Sequence, residues 1–340
     1  MLTTTVARGV YQLRTLIANV FLVENDSGGW VLVDAGVRGY AGSIRRAALE
    51  AVGGHAPEAI VLTHGHFDHV GSLGTLLEHW PVPVYADALE IPYLTGRRAY
   101  PPPDPLVGGG AIAWSSRLLP RGPYTVGPLL RPLPPTDDVP HLPGWRIVHT
   151  PGHSDGHVSL FREADRVLLA GDAVTTVKQE SLTAVAGQVP TIHGPPAYFT
   201  TDWDAARESV RALAALDPET LASGHGLPLH GEVMRRALHH LADEFDRLAR
   251  PRFGRYVNTP ARDVDGHQQL PPDPLPGLVG AIAAGAAVLL LIGSAVRRRA
   301  TRRPRQRNPA ARPPQSRLHA PDASPARRRA WRAIARPPGP

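Results

Sequence analysis

The chain reads as an α/β protein with a substantial sheet, followed by one membrane-spanning helix near its C-terminal end. Three observations predict this. Short runs of valine, leucine and isoleucine alternate with amphipathic helical stretches between residues 16 and 249, the pattern of a layered α/β fold. Four of the strand-like runs lead into a loop bearing histidine or aspartate, spread over about 160 residues. Finally, GLVGAIAAGAAVLLLIGSAV, residues 277–296, carries no charge over twenty positions, enough to cross a bilayer as a helix.

Taken in order, LIANVFLVENDSGGWVLVDA (16–35) predicts two strands around a turn, because Asn25, Asp26, Ser27, Gly28 and Gly29 interrupt two apolar runs. GYAGSIRRAALEAVGG predicts an amphipathic helix closed by Gly53 and Gly54. A short buried strand follows at Ala59 to Leu62, then a helix over 72–80 and a strand in PVPVYA, 81–86. Residues 96–143 are rich in proline and glycine, as in PPPDPLVGGG, and predict no long regular element. A stretch of that length is either a flap over a site or a loose insertion. WRIVHT (145–150) is a strand, VSLFREADRVLLAGDAV (158–174) a hairpin, 202–216 a helix capped by Asp202, TLASGHG (220–226) a strand running into a histidine, and 229–249 one long helix. The resulting division is a folded domain over 1–250, a linker over 251–275, a transmembrane helix over 276–296 and a disordered Arg/Pro-rich tail over 297–340.

Charge supports that division. The net charge is +7, yet the residues after Val296 hold fourteen arginines against one acid, Asp322, so the first 296 residues carry about −6. The basicity belongs to the tail, and no nucleic-acid partner is expected for the folded domain. There are no cysteines, which excludes disulfides and thiolate metal sites and leaves nitrogen and oxygen donors for any metal. The N-terminal stretch MLTTTVARGVYQLRTLIANVFLV lacks the pattern of a signal peptide.

The densest motif is VLTHGHFDHVGSL, 61–73, where three histidines and an aspartate fall within six residues at the end of a buried strand. His64 and His66 lie two apart and project the same way if the chain stays extended. Asp68 and His69 follow in a turn. Neutral imidazoles and carboxylates are ordinary ligands for zinc and for harder divalent ions. His153 in HTPGHSDGH, Asp172 in LLAGDAV and His225 in LASGHG each stand after an apolar run among small residues, where glycine lets backbone turn sharply beside a ligand.

This ordered set resembles the metallo-β-lactamase superfamily, whose pattern is T-H-x-H-x-D-H, then a lone His, an Asp and a last His. Here these are Thr63-His64-Gly65-His66-Phe67-Asp68-His69, His153, Asp172 and His225. Asp34 in LVDAG matches a further motif, and the likeness covers about residues 5–230. The resemblance implies a four-layer αβ/βα sandwich as the catalytic domain, with two metal ions at one edge of the paired sheets. His64, His66 and His153 would hold the first ion, Asp68, His69 and His225 the second, and Asp172 would bridge them. Asp68 would also be catalytic, orienting a bridging hydroxide and passing on its proton. His157 matches the second histidine of the T-P-G-H-x-x-G-H motif and is expected as hydrogen-bonded support. His193, Tyr198 and Lys178 are weaker candidates for substrate contact, while His230, His239 and His240 are expected in solvent or at the core edge. Gly65 stands where glyoxalase II proteins have histidine, and no glutathione-binding domain is recognisable, which weakens a strict glyoxalase II assignment.

The expected activity is therefore metal-dependent hydrolysis of a small ester-like substrate, a thioester or a lactone, by two divalent ions. Zinc is the leading metal, with iron and manganese as alternatives. The other readings are an iron-dependent sulfur dioxygenase and a non-enzymatic membrane adaptor. The expected placement is a single-pass cell-membrane protein, anchored through 276–296, with its tail near anionic lipid. Arginines after the span favour an external metal domain, and the missing signal pattern favours a cytoplasmic one, the side preferred here.

Overall fold

The structure, a computed structural model, describes residues 3–264 and 267–276. Fourteen strands and nine α-helices are present among them. The first sheet runs in chain order: β1 (Thr4–Ala7), β2 (Val10–Thr15), β3 (Ala18–Glu24), β4 (Trp30–Val33), β5 (Ala59–Val61), β6 (Val84–Ala86) and β7 (Leu130–Pro132). It is antiparallel from β1 to β4 and parallel from β4 to β7. The second sheet comprises β8 (Trp145–His149), β9 (Val158–Arg162), β10 (Val167–Leu169), β11 (Thr220–Ala222) and β12 (Leu229–His230), hydrogen-bonded in the order β12-β11-β10-β9-β8. A separate hairpin pairs β13 (Arg262–Val264) with β14 (His267–Gln269).

Side-chain alternation builds the layers. A strand sends successive side chains to opposite faces, so a strand covered on both faces must be apolar at every position. In β3, Val20 and Leu22 join one core while Phe21 and Val23 join another; in β4, Trp30 and Leu32 divide from Val31 and Val33 in the same way. The second core lies between the sheets, where these valines meet Trp145, Ile147, Val158, Leu160, Val167 and Leu169. The outer face of the first sheet is covered by α1 (Ala41–Val52) and by α3 (Leu73–His79), which follows the single turn of α2 (Phe67–Val70). Beyond the short helices α4 (Ile91–Leu94), α5 (Ala111–Ser115) and α6 (Leu182–Gly187), the outer face of the second sheet is covered by α7 (Trp203–Ala215) and α8 (Gly231–Asp243). The result is the expected αβ/βα sandwich.

Local signals explain the helix ends. Gly53 closes α1 with φ of +84°, a left-handed cap that costs glycine least. The Asp202 carboxylate accepts from the backbone N–H groups of Asp204 and Ala205 at 3.0 and 2.9 Å, a cap of a kind typically contributing about 1 kcal/mol.

The helix and linker expectations change, while the Pro/Gly-rich stretch forms only short elements, as expected. The helix expected over 229–249 starts at Gly231, because Leu229 and His230 pair with β11 as an edge strand after Pro228, and it breaks at Glu244 before α9 (Phe245–Leu248). The Pro/Gly-rich stretch 96–143 supplies β7, the outermost strand of the first sheet, where Pro132 needs no ladder donor. It also buries Tyr100, Val107 and Ala113. The stretch 251–275, read as a linker, packs against that insertion. Tyr256 and Val257 are buried, the Tyr256 hydroxyl donates to the Pro102 carbonyl at 2.7 Å, and the Gln268 amide donates to the Ala99 carbonyl at 2.9 Å. Among the described residues no helix is long and apolar enough to cross a membrane. From Gly277 onward the expected span, and the tail after it, lie outside those residues.

Candidate metal centre

Every sequence-predicted ligand comes from the C-terminal end of a strand. The loop after β5 brings His64 and His66, and α2 begins at Phe67 so that its first turn presents Asp68 and His69. His153 stands between β8 and β9, Asp172 just after β10, and His225 just after β11. Parallel pairing of β10 with β11 puts the last two side by side.

The seven side chains converge as three overlapping sets, each with donor atoms within 4.8 Å of one another: His64, His66 and His153; His64, His69 and Asp172; Asp68, His69 and His225. The Asp172 carboxylate touches both sides. Its Oδ2 lies 3.4 Å from His153 Nε2 and 3.0 Å from His225 Nε2, and its Oδ1 lies 3.5 Å from His69 Nε2. On the first side His66 Nδ1 is 2.9 Å from His153 Nε2, and on the second His225 Nε2 is 3.6 Å from Asp68 Oδ2. All seven are at least nine-tenths buried.

Back-side hydrogen bonds orient the rings. His69 Nδ1 contacts the Asp34 carboxylate at 2.8 Å, His225 Nδ1 the Ile17 carbonyl at 2.7 Å and His64 Nδ1 the Thr63 hydroxyl at 3.1 Å. Each contact leaves Nε2 facing the centre, as in the carboxylate–histidine pairs that support metal ligands. Asp34 itself adopts a φ of +63°, rare for a residue with a Cβ. That conformation lets its carboxylate accept from Thr63 N–H and Thr63 Oγ1, both at 2.8 Å, while it meets His69. His157 gives the expected support: its Nε2 accepts from the Asp172 N–H at 2.8 Å, and its Nδ1 meets the Thr150 hydroxyl at 2.8 Å. Gly224 is required by closeness, since a Cβ there would stand 2.1 Å from Asp172 Oδ1 and 2.8 Å from His69 Cε1.

The two sides differ in charge. Burial, reinforced by neighbouring imidazoles, lowers His64 and His66 well below the ordinary histidine value, and burial takes His153 down to about 3. His69 feels the same burial, but Asp172 and Asp34 overcome it and hold the ring well above the ordinary value; Asp172 and Asp68 raise His225 likewise. Burial pushes the Asp172 carboxyl up, yet His225 and His69 hold it well below the usual range, whereas burial leaves Asp68 raised.

Three buried atoms at the centre have no hydrogen-bond partner among the described residues: His64 Nε2, His69 Nε2 and Asp172 Oδ1. Buried polar atoms are rarely left unpaired, and three turned toward one point suit a cation. The donor set of five imidazoles and two carboxylates, with no thiolate, fits two divalent ions sharing Asp172.

Comparison with known proteins agrees with the arrangement. The model of the metallo-beta-lactamase superfamily matches residues 13–225. The chain belongs to this superfamily. It is 45% identical over 245 residues to the probable metallo-hydrolase YflN of Bacillus subtilis (strain 168), covering 71% of this chain and 93% of that one. Similarity to YybB of the same organism, also a probable metallo-hydrolase, is 32% over 214 residues, 63% of this chain and 82% of that one. Among solved structures, TTHA1623 in a di-iron-bound form is 30% identical with a TM-score of 0.44, covering 64% of this chain and 92% of that one.

Several weaker sequence candidates stand apart from the superfamily's metal motif. His230, His239 and His240 are exposed, and His193 sits on a bridge to Thr175. Tyr198 is buried against Phe199, and Lys178 is half-buried. The cleft over His66 and His153 is lined instead by Tyr93, Tyr100, Ser154, Asp155, Phe199 and Thr201. Sequence reading missed Tyr93, Tyr100, Phe199 and Thr201 because none lies in a motif, and passed over Ser154 and Asp155, which fill the variable positions between His153 and His157. His66 is flanked by Phe199, stacked at 4.6 Å, and by Tyr100, tilted at 4.4 Å. Gly65 leaves room for that ring: a Cβ there would lie 2.5 Å from the Tyr100 hydroxyl, which accounts for glycine at this motif position.

Proposed function

We propose that the chain is a dinuclear metal-dependent hydrolase acting on a small ester-like substrate, a thioester or a lactone. The observation that carries this reading is the Asp172 carboxylate lying between two groups of imidazoles, with three partnerless atoms facing inward. Two zinc ions suit the donors: His64, His66 and His153 for one, Asp68, His69 and His225 for the other, Asp172 for both. Such ions, when bound, make water acidic enough to ionise near neutral pH and polarise a carbonyl oxygen.

The chain's own residues supply the rest. Asp68 faces the centre, 3.6 Å from His225 Nε2, where it would accept a proton from the attacking water and return it to the leaving group. Asp34 and Thr63 hold His69 and His64 in place. Phe199 and Tyr100 shield His66 from solvent. A cavity of about 490 Å³ lies against α2, lined by Val37, Phe67, Val70, Leu73 and Val126 with Arg38 exposed beside it. Its wall shares α2 with Asp68 and His69, which makes it the candidate room for the apolar part of a small ester. The uncharged run 277–296 and the arginines behind it support a membrane tether, which truncation before Gly277 tests by shifting the protein to the soluble fraction.

The deciding experiment measures metal content and turnover together on a panel of thioesters, lactones and phosphodiesters. Two zinc ions per chain with thioester or lactone turnover, lost in His66→Ala, are expected. One iron with oxygen uptake would replace the hydrolase by an oxygenase. Turnover indifferent to His66→Ala would remove the metal centre from the reaction.

A further inference from the structure

Outside the ligand set, Glu90 and Glu180 are fully buried acids with no part in the chemistry above, and Glu90 is the one bonded beside the ligands. Glu90 immediately precedes α4 and is wholly excluded from solvent. Its Oε2 accepts from the Gly65 N–H at 3.0 Å and from the Tyr100 hydroxyl. Its Oε1 accepts from the Ser154 hydroxyl at 2.8 Å and the Gly156 N–H at 3.0 Å. Gly65 lies between His64 and His66, and Ser154 follows His153. Four donors from three separate segments therefore meet on one carboxylate.

We propose that Glu90 is a positioning residue for the first metal subsite, clipping the loop of His64 and His66 to the loop of His153 and tying both to the 96–143 insertion through Tyr100. The inference rests on the metal-centre reading given above. Chemistry selects this residue type. Two of the four donors are backbone N–H groups that cannot reverse. An ionised carboxylate is acceptor-only with about four lone-pair sites, and charge-assisted bonds of this kind are the stronger ones. A glutamine would turn its NH₂ toward one hydroxyl and one backbone N–H; the hydroxyl can reverse and accept, but the N–H would lose its carboxylate acceptor. Closeness selects the glycines on either side. A Cβ on Gly156 would stand 2.8 Å from Glu90 Cγ, and one on Gly65 would meet the Tyr100 hydroxyl. Tyr100 extends the clip: its ring packs against His66, and Tyr93 stacks on it at 4.0 Å. The atoms so governed are His66 Nδ1 and His153 Nε2, held 2.9 Å apart. His69 and His225 take their back-side support from Asp34 and Ile17 instead, so the effect of Glu90 is confined to one side.

The test is a zinc titration of the metal-free full chain against a chromophoric chelator, with thermal unfolding of the metal-free protein alongside. His153→Ala identifies the binding step that belongs to the first subsite. Glu90→Gln is expected to weaken that same step about 10–100-fold, the usual range for losing a hydrogen-bond partner behind a metal site, with the other step unchanged. Tyr100→Phe removes one donor of four and weakens the same step less; it carries the test if Glu90→Gln does not fold. Equal weakening of both steps would reduce Glu90 to general structural support, and two unaltered steps would remove its role altogether. A wild-type chain that takes up no zinc would instead end the metal-centre reading and the clip with it.

Discussion

The two halves of the metal centre are built on opposite electrostatic plans. The half formed by His64, His66 and His153 is three imidazoles pressed together in a dry site, and burial keeps them neutral. The half formed by Asp68, His69 and His225 is laced with carboxylates that hold its imidazoles protonated to higher pH. Ligands must be deprotonated to bind a metal. The first half is therefore ready at neutral pH, whereas the second must release protons as an ion enters. Asp172 joins the plans, touching His153 on one side and His69 and His225 on the other.

The most damaging way to break this contrast is to remove what the halves share. Asp172→Asn is expected to weaken both ions and bring hydrolysis to background, measured by metal content and turnover on one preparation; normal uptake of both ions would show that Asp172 bridges nothing. Asp68→Asn acts on the second half and on proton transfer. It should lower kcat by about 10²–10⁴, the range for general acid–base catalysis, and spare the first zinc step. Asp34→Asn removes the direct support behind His69 and reaches His64 only through Thr63, so it should weaken the second step by about 10–100-fold and the first step less. The electrostatic difference itself is sharpened by titrating zinc between about pH 8 and about pH 6 across the ordinary histidine range. The second step should weaken more steeply than the first and release more protons, seen by calorimetry in buffers of different ionisation enthalpy.

The smallest effect lies behind the centre. His157 is lowered to about 4 by burial, so below about pH 6.5 the unfolded chain binds a proton that the folded one refuses. The stability tied to its neutral ring is complete above about pH 6.5 and is lost as pH falls toward 4. His157→Gln should flatten the acid side of the metal-free melting profile relative to wild type.

The candidate site was more legible in the sequence than the frame around it. Each ligand stands at a strand end among small residues, so an apolar run followed by His or Asp marks it locally, and the order of the motifs supplied the rest. Glu90 left no such mark, because its donors come from positions 65, 100, 154 and 156 and only folding brings them together. The tyrosines beside His66 were hidden for the same reason. In the frame, the alternation of β3 and β4 was readable because both faces are covered. Strand β7 was not, since three residues within a proline-rich stretch carry no period. The break at Glu244 and the pairing of Leu229 and His230 with β11 likewise depend on tertiary contacts that the helical periodicity of 229–249 does not contain.

Anomalous diffraction from crystals of the zinc-loaded protein tests the central claim most directly. The account predicts two metal peaks about 3.5–4 Å apart, the spacing of two-metal sites, one beside His64, His66 and His153, the other beside Asp68, His69 and His225, with an Asp172 oxygen at each. A single peak, or two peaks with Asp172 bound to neither, would contradict it.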